Sequence, residues 1–454
     1  MKRFDKNKYL KKIKIKRWLS NYSRYLYLGL SCILVCTLGV YLAYSKFFVS
    51  KEEAVIKTTV GNFIQGDVVI GAYIDNEYSS TIPGKDDGYV VEKVVCDNGA
   101  TGEWDNDKWG LLTTNLTKRT KCNVYFKKDY LGPIIAQLDT SGKCPTMNAD
   151  GSVSVTGVGA TNGYLCKAKD AYGDSYYYRG NVTNNYVLFA DKYWRIVRIN
   201  GDGTVRVIYD GTSAHANGES SEDRQIGKSA FNSSSNDNAY VGYMYGATGA
   251  STYAAAHANT NDSTIKTYID NWYKTNILGT ANEQYLADNV FCNDRSISTY
   301  TSSSNTKLGY GTNSTYYRWV SGPWNPTDYG NGKMMLTCSQ QNDAFTVSDT
   351  TNGNGALTYP VGLLSMDEIA LAGGWNASNS VYYLYSGKVW LASSSDIFND
   401  AGALVRCVYS NGKADGDCIV SNAFGVRPVF NLKADTLAQG SGTASDPYRI
   451  SLTS

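Results

Sequence analysis

Residues 25–45 form a run of 21 uncharged and mostly apolar residues, and the 24 residues before them hold ten Lys or Arg against one Asp. As a helix rising ~1.5 Å per residue the run is about 32 Å long, close to the ~30 Å hydrocarbon thickness of a bilayer. A basic flank resists translocation, so the pattern predicts a single-pass anchor in the cell membrane with its N-terminus cytoplasmic. In this reading residues 1–24 are a basic cytoplasmic tail, 25–45 a transmembrane helix, and 46–454 lie outside. A cleaved signal peptide is the alternative, because Ala43-Tyr44-Ser45 resembles a small-residue cleavage site. The long basic region and an apolar run beyond the ~7–15 residues of a signal core favour retention. Cys32 and Cys36 follow no lipobox and read as apolar residues within the helix.

The formal net charge of +2 hides an asymmetry. Residues 1–24 carry +9, whereas the rest carries 33 Lys or Arg against 40 Asp or Glu, a net −7. A mildly acidic body lacks the basic footprint that neutralises phosphates, which excludes nucleic acid as an expected partner. The expected partner is the membrane, through the N-terminal helix.

Eight cysteines fall beyond the apolar run: Cys96, Cys122, Cys144, Cys166, Cys292, Cys338, Cys407 and Cys418. An even number outside the membrane indicates disulfides. Sequence leaves the connectivity open; pairing each cysteine with its successive neighbour is the economical choice. With no Cys-x-x-Cys and only His215 and His257 in the chain, zinc is disfavoured, and no metal or cofactor is expected. The two histidines are expected in polar loops or in a hydrogen-bonded core position.

Residues 46–130 read as short strands separated by turns such as Pro83-Gly84-Lys85-Asp86-Asp87-Gly88. Alternation is clearest at Cys122, Val124 and Phe126 against Asn123, Tyr125 and Lys127, which predicts a small antiparallel β-sandwich bridged by Cys96–Cys122. Trp104-Asp105-Asn106-Asp107-Lys108-Trp109 lacks calcium-loop spacing and reads as a solvated turn. Residues 131–175 read as a disulfide-stapled connector with a hairpin signal at Asn148-Ala149-Asp150-Gly151. A larger domain, 176–454, opens with a hairpin around Asn200-Gly201-Asp202-Gly203, its first strand apolar on both faces at Trp194, Ile196, Val197 and Ile199.

Two helices belong to this domain. Ile265, Tyr268, Ile269, Trp272 and Tyr273 form an apolar stripe within Thr264 to Leu278, and Gly279 supplies the stop. Ser365-Met366-Asp367-Glu368 is a capping box, which makes Ser365 a cap and not a nucleophile. Between the helices run Ser/Thr/Asn/Gly/Tyr-rich stretches containing Tyr316, Tyr317, Trp319, Trp324 and Tyr329, expected as ordered loops pinned by Cys292 and Cys338.

Towards the C-terminus, the runs Val389-Trp390-Leu391-Ala392-Ser393-Ser394-Ser395, Val405-Arg406-Cys407-Val408 and Gly425-Val426-Arg427-Pro428-Val429-Phe430 resemble the end of bacterial C-type-lectin-like domains. That superfamily includes the formylglycine-generating-enzyme-like proteins. The resemblance implies an α+β C-type-lectin-like fold for 176–454, and the whole chain looks like a membrane-anchored bacterial surface protein. The family's calcium-chelating motifs are represented only by Trp324-Asn325-Pro326 and Phe398-Asn399-Asp400, so calcium-dependent sugar binding does not carry over. Cys407 and Cys418 match no reactive cysteine pair and look like a hairpin staple.

Catalysis is disfavoured. The chain has no nucleophile elbow, phosphate-binding loop or His-Glu-x-x-His. Asp367-Glu368 and Glu222-Asp223 would serve as a glycosidase dyad only at the right separation, and adjacent acids are usually solvated. The expected function is a ligand-binding or adhesin-type surface module recognising glycan or protein. Its 37 tyrosines offer contact area and hydroxyls at low entropic cost. The contacts expected from the aromatic and amide-rich loops are Trp324, Asp328, Tyr329, Trp375, Asn399 and Asp400. A structural cell-envelope protein is the alternative. A sulfatase-modifying-type oxidase is a further one, requiring free adjacent thiols.

Overall fold

The computed structural model describes residues 10–12, 14–17, 57–58, 69–116, 120–155, 162–298, 308–319, 333–414, 416–434 and 436–450. The chain divides into two compact units, Met1–Lys128 and Asp129–Ser454. Two-residue strands are named below by their residues.

Unit 1 contains β1 (Val69–Ile74), β2 (Glu77–Ser79), β3 (Tyr89–Cys96), β4 (Thr101–Asp105), β5 (Gly110–Thr114) and β6 (Lys121–Lys128). One sheet has the order β2-β1-β6-β3, and a second joins Lys57–Thr58, β5 and β4. Period-two alternation explains the packing: Cys122, Val124 and Phe126 on β6 are buried and share a core with Ala72 and Leu111. Trp104 meets Trp109 edge-on at 5.4 Å beside them. The sheets are not purely antiparallel as expected, because β6 returns after the β4–β5 hairpin and pairs parallel to β1. The Trp104–Trp109 stretch is a turn, with Asp105 Oδ1 accepting from the backbone N–H groups of Asp107 and Lys108.

Unit 2 is built on β7 (Gly163–Asp170), β8 (Gly173–Gly180), β9 (Tyr186–Phe189), β10 (Lys192–Ile199), β11 (Val205–Gly211), β12 (Lys228–Ala230), α1 (Thr264–Asn276), α2 (Met366–Ala372), β13 (Trp390–Asn399), β14 (Gly402–Val408), β15 (Gly416–Ile419), β16 (Ala423–Gly425), β17 (Val429–Leu432), β18 (Leu437–Gln439) and β19 (Tyr448–Ile450). The first sheet runs β7-β8-β10-β9-β19-β18, with β11 on the other edge of β10 and β17 beyond it. β8 and β9 therefore share one edge of β10 at its two ends. The second sheet runs β12-β16-β13-β14-β15, with Thr315–Tyr316 also pairing β13.

Residues 131–175, expected as a connector, belong to this unit: β7 pairs along its whole length with β8. The Asn200–Gly203 turn closes the β10–β11 hairpin, and Trp194, Ile196, Val197 and Ile199 are all buried. α1 buries Ile265, Ile269 and Tyr273, and α2 carries the Ser365–Glu368 capping box and stops at Gly373. Disulfides join Cys96–Cys122, Cys144–Cys166, Cys292–Cys338 and Cys407–Cys418.

The α+β C-type-lectin-like fold is overturned. Strand accounts for 37% of the described residues and helix for 14%, so the chain is mainly β. The two helices placed from sequence have 13 and 7 residues, and the β-branched and tyrosine-rich remainder pairs as strands or closes turns. Among the described residues no helix is long and apolar enough to cross a membrane. The transmembrane helix expected at 25–45 lies outside the described residues, as does most of the basic tail.

The interior of unit 2 is held by charge as well as apolar contact. Asp210 Oδ1 accepts from Arg224 and Arg427, each at 2.8 Å, and Oδ2 lies 3.8 Å from Arg195 Nη1; all four side chains are fully buried. The guanidiniums also donate to carbonyls of Val182, Tyr209, Tyr383 and Leu384. One carboxylate thus organises three buried cations, whose other hydrogen bonds go to backbone oxygens and, from Arg195, also to the Asn185 and Asn217 amide oxygens.

Candidate functional site

Ser263 caps α1, its hydroxyl accepting from Lys266 N–H at 3.2 Å. Helical periodicity then divides the side chains. Ile265, Ile269 and Tyr273 turn inward, while Thr264, Thr267, Tyr268 and Asn271 share the other face. That face forms one wall of a cleft of about 380 Å³, with β12, the Asn232–Ser233 segment, Tyr245 and Asp262 opposite. Tyr268 Oη donates to Ile226 O at 3.3 Å. It passes over Gly227, where a Cβ would lie 2.2 Å from the hydroxyl, so the wall requires glycine there.

Charge in the cleft is nearly spent. Lys266 is buried, its Nζ 2.8 Å from Asp270 Oδ2 and 3.1 Å from Asp262 Oδ2. Burial raises the Asp270 carboxyl above its ordinary range despite Lys266. Burial also raises the Tyr245 hydroxyl, which keeps it a neutral donor. Asp262 Oδ1, the hydroxyls of Ser233, Tyr245 and Thr264, and the Asn271 amide have no hydrogen-bond partner among the described residues. A second polar depression, about 270 Å³ beside Asp139 and Asn184, is smaller, and the Tyr178 hydroxyl in its lining also lacks a partner among the described residues. There Asp139 already accepts four hydrogen bonds and Asn184 donates to Gln137. The larger volume and the five open polar groups beside two aromatic rings favour the α1 cleft as the place for a polar ligand.

Of the contacts expected from sequence, the three that are described, Trp375, Asn399 and Asp400, do not all lie together. Trp324, Asp328 and Tyr329 lie outside the described residues. Trp375 follows α2, packs against the core and bridges Lys413, near the Trp390 end of the β13–β14 hairpin. Asn399 and Asp400 sit at the opposite turn, where Asn399 Oδ1 accepts from Ala401 N–H at 2.9 Å. Nine residues of strand, about 30 Å, separate the two ends. The turn does approach the cleft-lining segment: Ala403 N–H donates to Ser235 O at 2.8 Å, two residues from Ser233. Sequence reasoning missed Ser233, Tyr245, Asp262, Thr264 and Asn271. The polar positions 264, 267 and 271, opposite the apolar stripe of α1, were the available signal.

Of the two acid pairs, Glu222 is exposed as expected, whereas Asp367 and Glu368 are buried. Asp367 accepts from Arg318, Trp319 Nε1 and Met335 N–H, and Glu368 from Arg198, while Arg206 Nε lies 2.8 Å from it. Asp223 is taken by His215 and Thr212. His257 is buried against Tyr253, and burial lowers its imidazole to about 2. Among the described residues no cluster of three His, Cys, Asp or Glu could hold a metal ion. No known protein family, curated protein or solved structure matches this chain.

Proposed function

We propose that this chain is an extracytoplasmic recognition protein whose α1 cleft takes a neutral, hydroxyl-rich ligand, such as a sugar unit of a glycan. The observation that carries this reading is the set of five unpartnered polar groups flanked by Tyr245 and Tyr268, with the nearest cation, Lys266, already neutralised. A sugar supplies alternating hydroxyl donors and acceptors to such a lining, and tyrosine rings cover its apolar C–H faces. The volume falls within the ~300–1,000 Å³ of small-molecule sites. The cysteines support that compartment: every described one is in a disulfide, as suits an oxidising environment.

A glycan array followed by calorimetry on the purified chain tests the reading. The expected result is binding that weakens at least tenfold in Asn271→Ala and in Tyr245→Ala. Binding indifferent to both substitutions, or no binding to any glycan, overturns it.

A further inference from the structure

The β2-β1-β6-β3 sheet of unit 1 has two chemically different faces. Its inner side carries Ala72, Cys122, Val124 and Phe126 into the core. On the outer side the register aligns Tyr78, Tyr73, Tyr125 and Lys93 in one row across four strands. Tyr78 meets Tyr73 edge-on at 5.8 Å, Tyr73 stacks on Tyr125 at 4.8 Å, and Lys93 Nζ lies 4.7 Å over the Tyr125 ring. The ring faces are thus occupied by one another. Their three hydroxyls have no partner among the described residues.

Lysine dominates the charge on this face. Lys121 and Lys127 lie on the same side of β6 as Tyr125, and with Lys93 they make no ion pair among the described residues. Glu92 sits in the β3 bulge at the margin, and Asp97, beyond the strand end, accepts from Lys121 N–H at 2.7 Å. Glu103, Asp105 and Asp107 belong to the other sheet and its turn. Three of the most exposed large apolar side chains also fall here: Val69 at 55%, Tyr78 at 69% and Val95 at 49%.

We propose that this face is a docking track for a linear polyanion bearing repeated phosphate or carboxylate groups. Lys121 and Lys127, six residues apart, span about 20 Å of strand, with Lys93 beside them on the next strand. That spacing puts a cation within reach of several successive anionic repeats, and the tyrosine hydroxyls between them donate to anionic oxygens. The size of the face decides against a folded partner. Four strands over that length cover about 400 Å², half of the ~800 Å² per side of a stable protein interface. A chain polymer needs only the line of charges, with affinity supplied by released counterions.

The test uses the full chain with inorganic polyphosphate and polygalacturonate as probes, titrated over a range of salt. The triple variant Lys93→Glu/Lys121→Glu/Lys127→Glu is compared with Lys143→Glu/Lys169→Glu/Lys433→Glu, which changes net charge equally but elsewhere. Binding to at least one probe should fall more than tenfold in the first triple, with a shallower salt dependence, and less than about twofold in the second. Tyr78→Ser, which leaves charge unchanged, should weaken binding two- to fivefold. Equal losses in both triples would assign the attraction to overall charge and overturn the proposal. Binding of neither polymer, or capture of an acidic protein only, overturns it as well.

Discussion

Nδ1 of His215 lies 2.7 Å from Oε1 of Glu219. Its Nε2 lies 2.9 Å from Oδ2 of Asp223, so both ring nitrogens face carboxylate oxygens. Only the imidazolium can donate to both, and the ring is therefore a charged clasp across the loop after β11. Burial opposes that charge, but the hydrogen bonds to Asp223 and Glu219 outweigh it and raise the histidine above its ordinary value. His215 in turn lowers Glu219; Asp223 is lowered by its His215 and Thr212 hydrogen bonds in spite of burial.

The clasp makes stability pH-dependent. The histidine contribution is full below the unfolded value of ~6.5 and is lost as pH rises through the raised folded value. The carboxylate contributions are present above their ordinary values and are lost as pH falls through the lowered ones. Between these limits His215→Gln should cost about 1 kcal/mol, allowing for solvent at Glu219. Urea titrations of both proteins from pH 4 to 9 check it. A difference that does not shrink towards pH 9 contradicts the clasp.

Asp210→Asn removes the charge that three buried guanidiniums share. The expected loss is about 3–5 kcal/mol, because the cations remain and their counterion does not. Denaturant unfolding measures it. A cost below ~1 kcal/mol would mean that the surrounding carbonyl and amide oxygens alone satisfy the arginines.

The disulfides should differ in worth according to the length of chain they close. Cys292–Cys338 spans 46 residues and Cys407–Cys418 spans 11. Loop-closure entropy then assigns about 4 and about 3 kcal/mol to them. Replacing each pair by serine and comparing urea midpoints checks the order.

Helix capping and ligand binding separate at the mouth of the cleft. Ser263→Ala should destabilise by about 1 kcal/mol through loss of the cap. Thr264→Val, one residue on and exposed, should alter stability by less than ~0.5 kcal/mol while weakening the proposed ligand. Thermal unfolding read beside glycan calorimetry distinguishes the two.

Local signals were legible and global ones were not. The α1 stripe, the Ser365–Glu368 box, the Asn200–Gly203 turn and the β6 alternation each depend on a few neighbouring residues, and each appears where those residues place it. The parallel pairing of β1 with β6, and of β9 with β19, rests on partners far apart in the chain that no local pattern encodes. The α+β fold class read from the Trp390–Ser395 run failed for the same reason, since a strand motif says nothing of which strands flank it. The cleft was hidden because Ser233, Tyr245 and Asp262 reach Thr264 and Asn271 only after three separate segments fold together.

β9 pairs with β19 across some 260 residues, Val187 beside Tyr448. Until Tyr448–Ile450 emerge, that stretch of the edge of β10's sheet stays bare, an open template for any extended chain nearby. The second unit should therefore acquire its native form only after β19 has been made, slowly, as domains dominated by distant contacts do. A cell making this protein must keep a long, half-finished sheet from sticking to its neighbours, and a chain cut before Tyr448 would stay in that state for good.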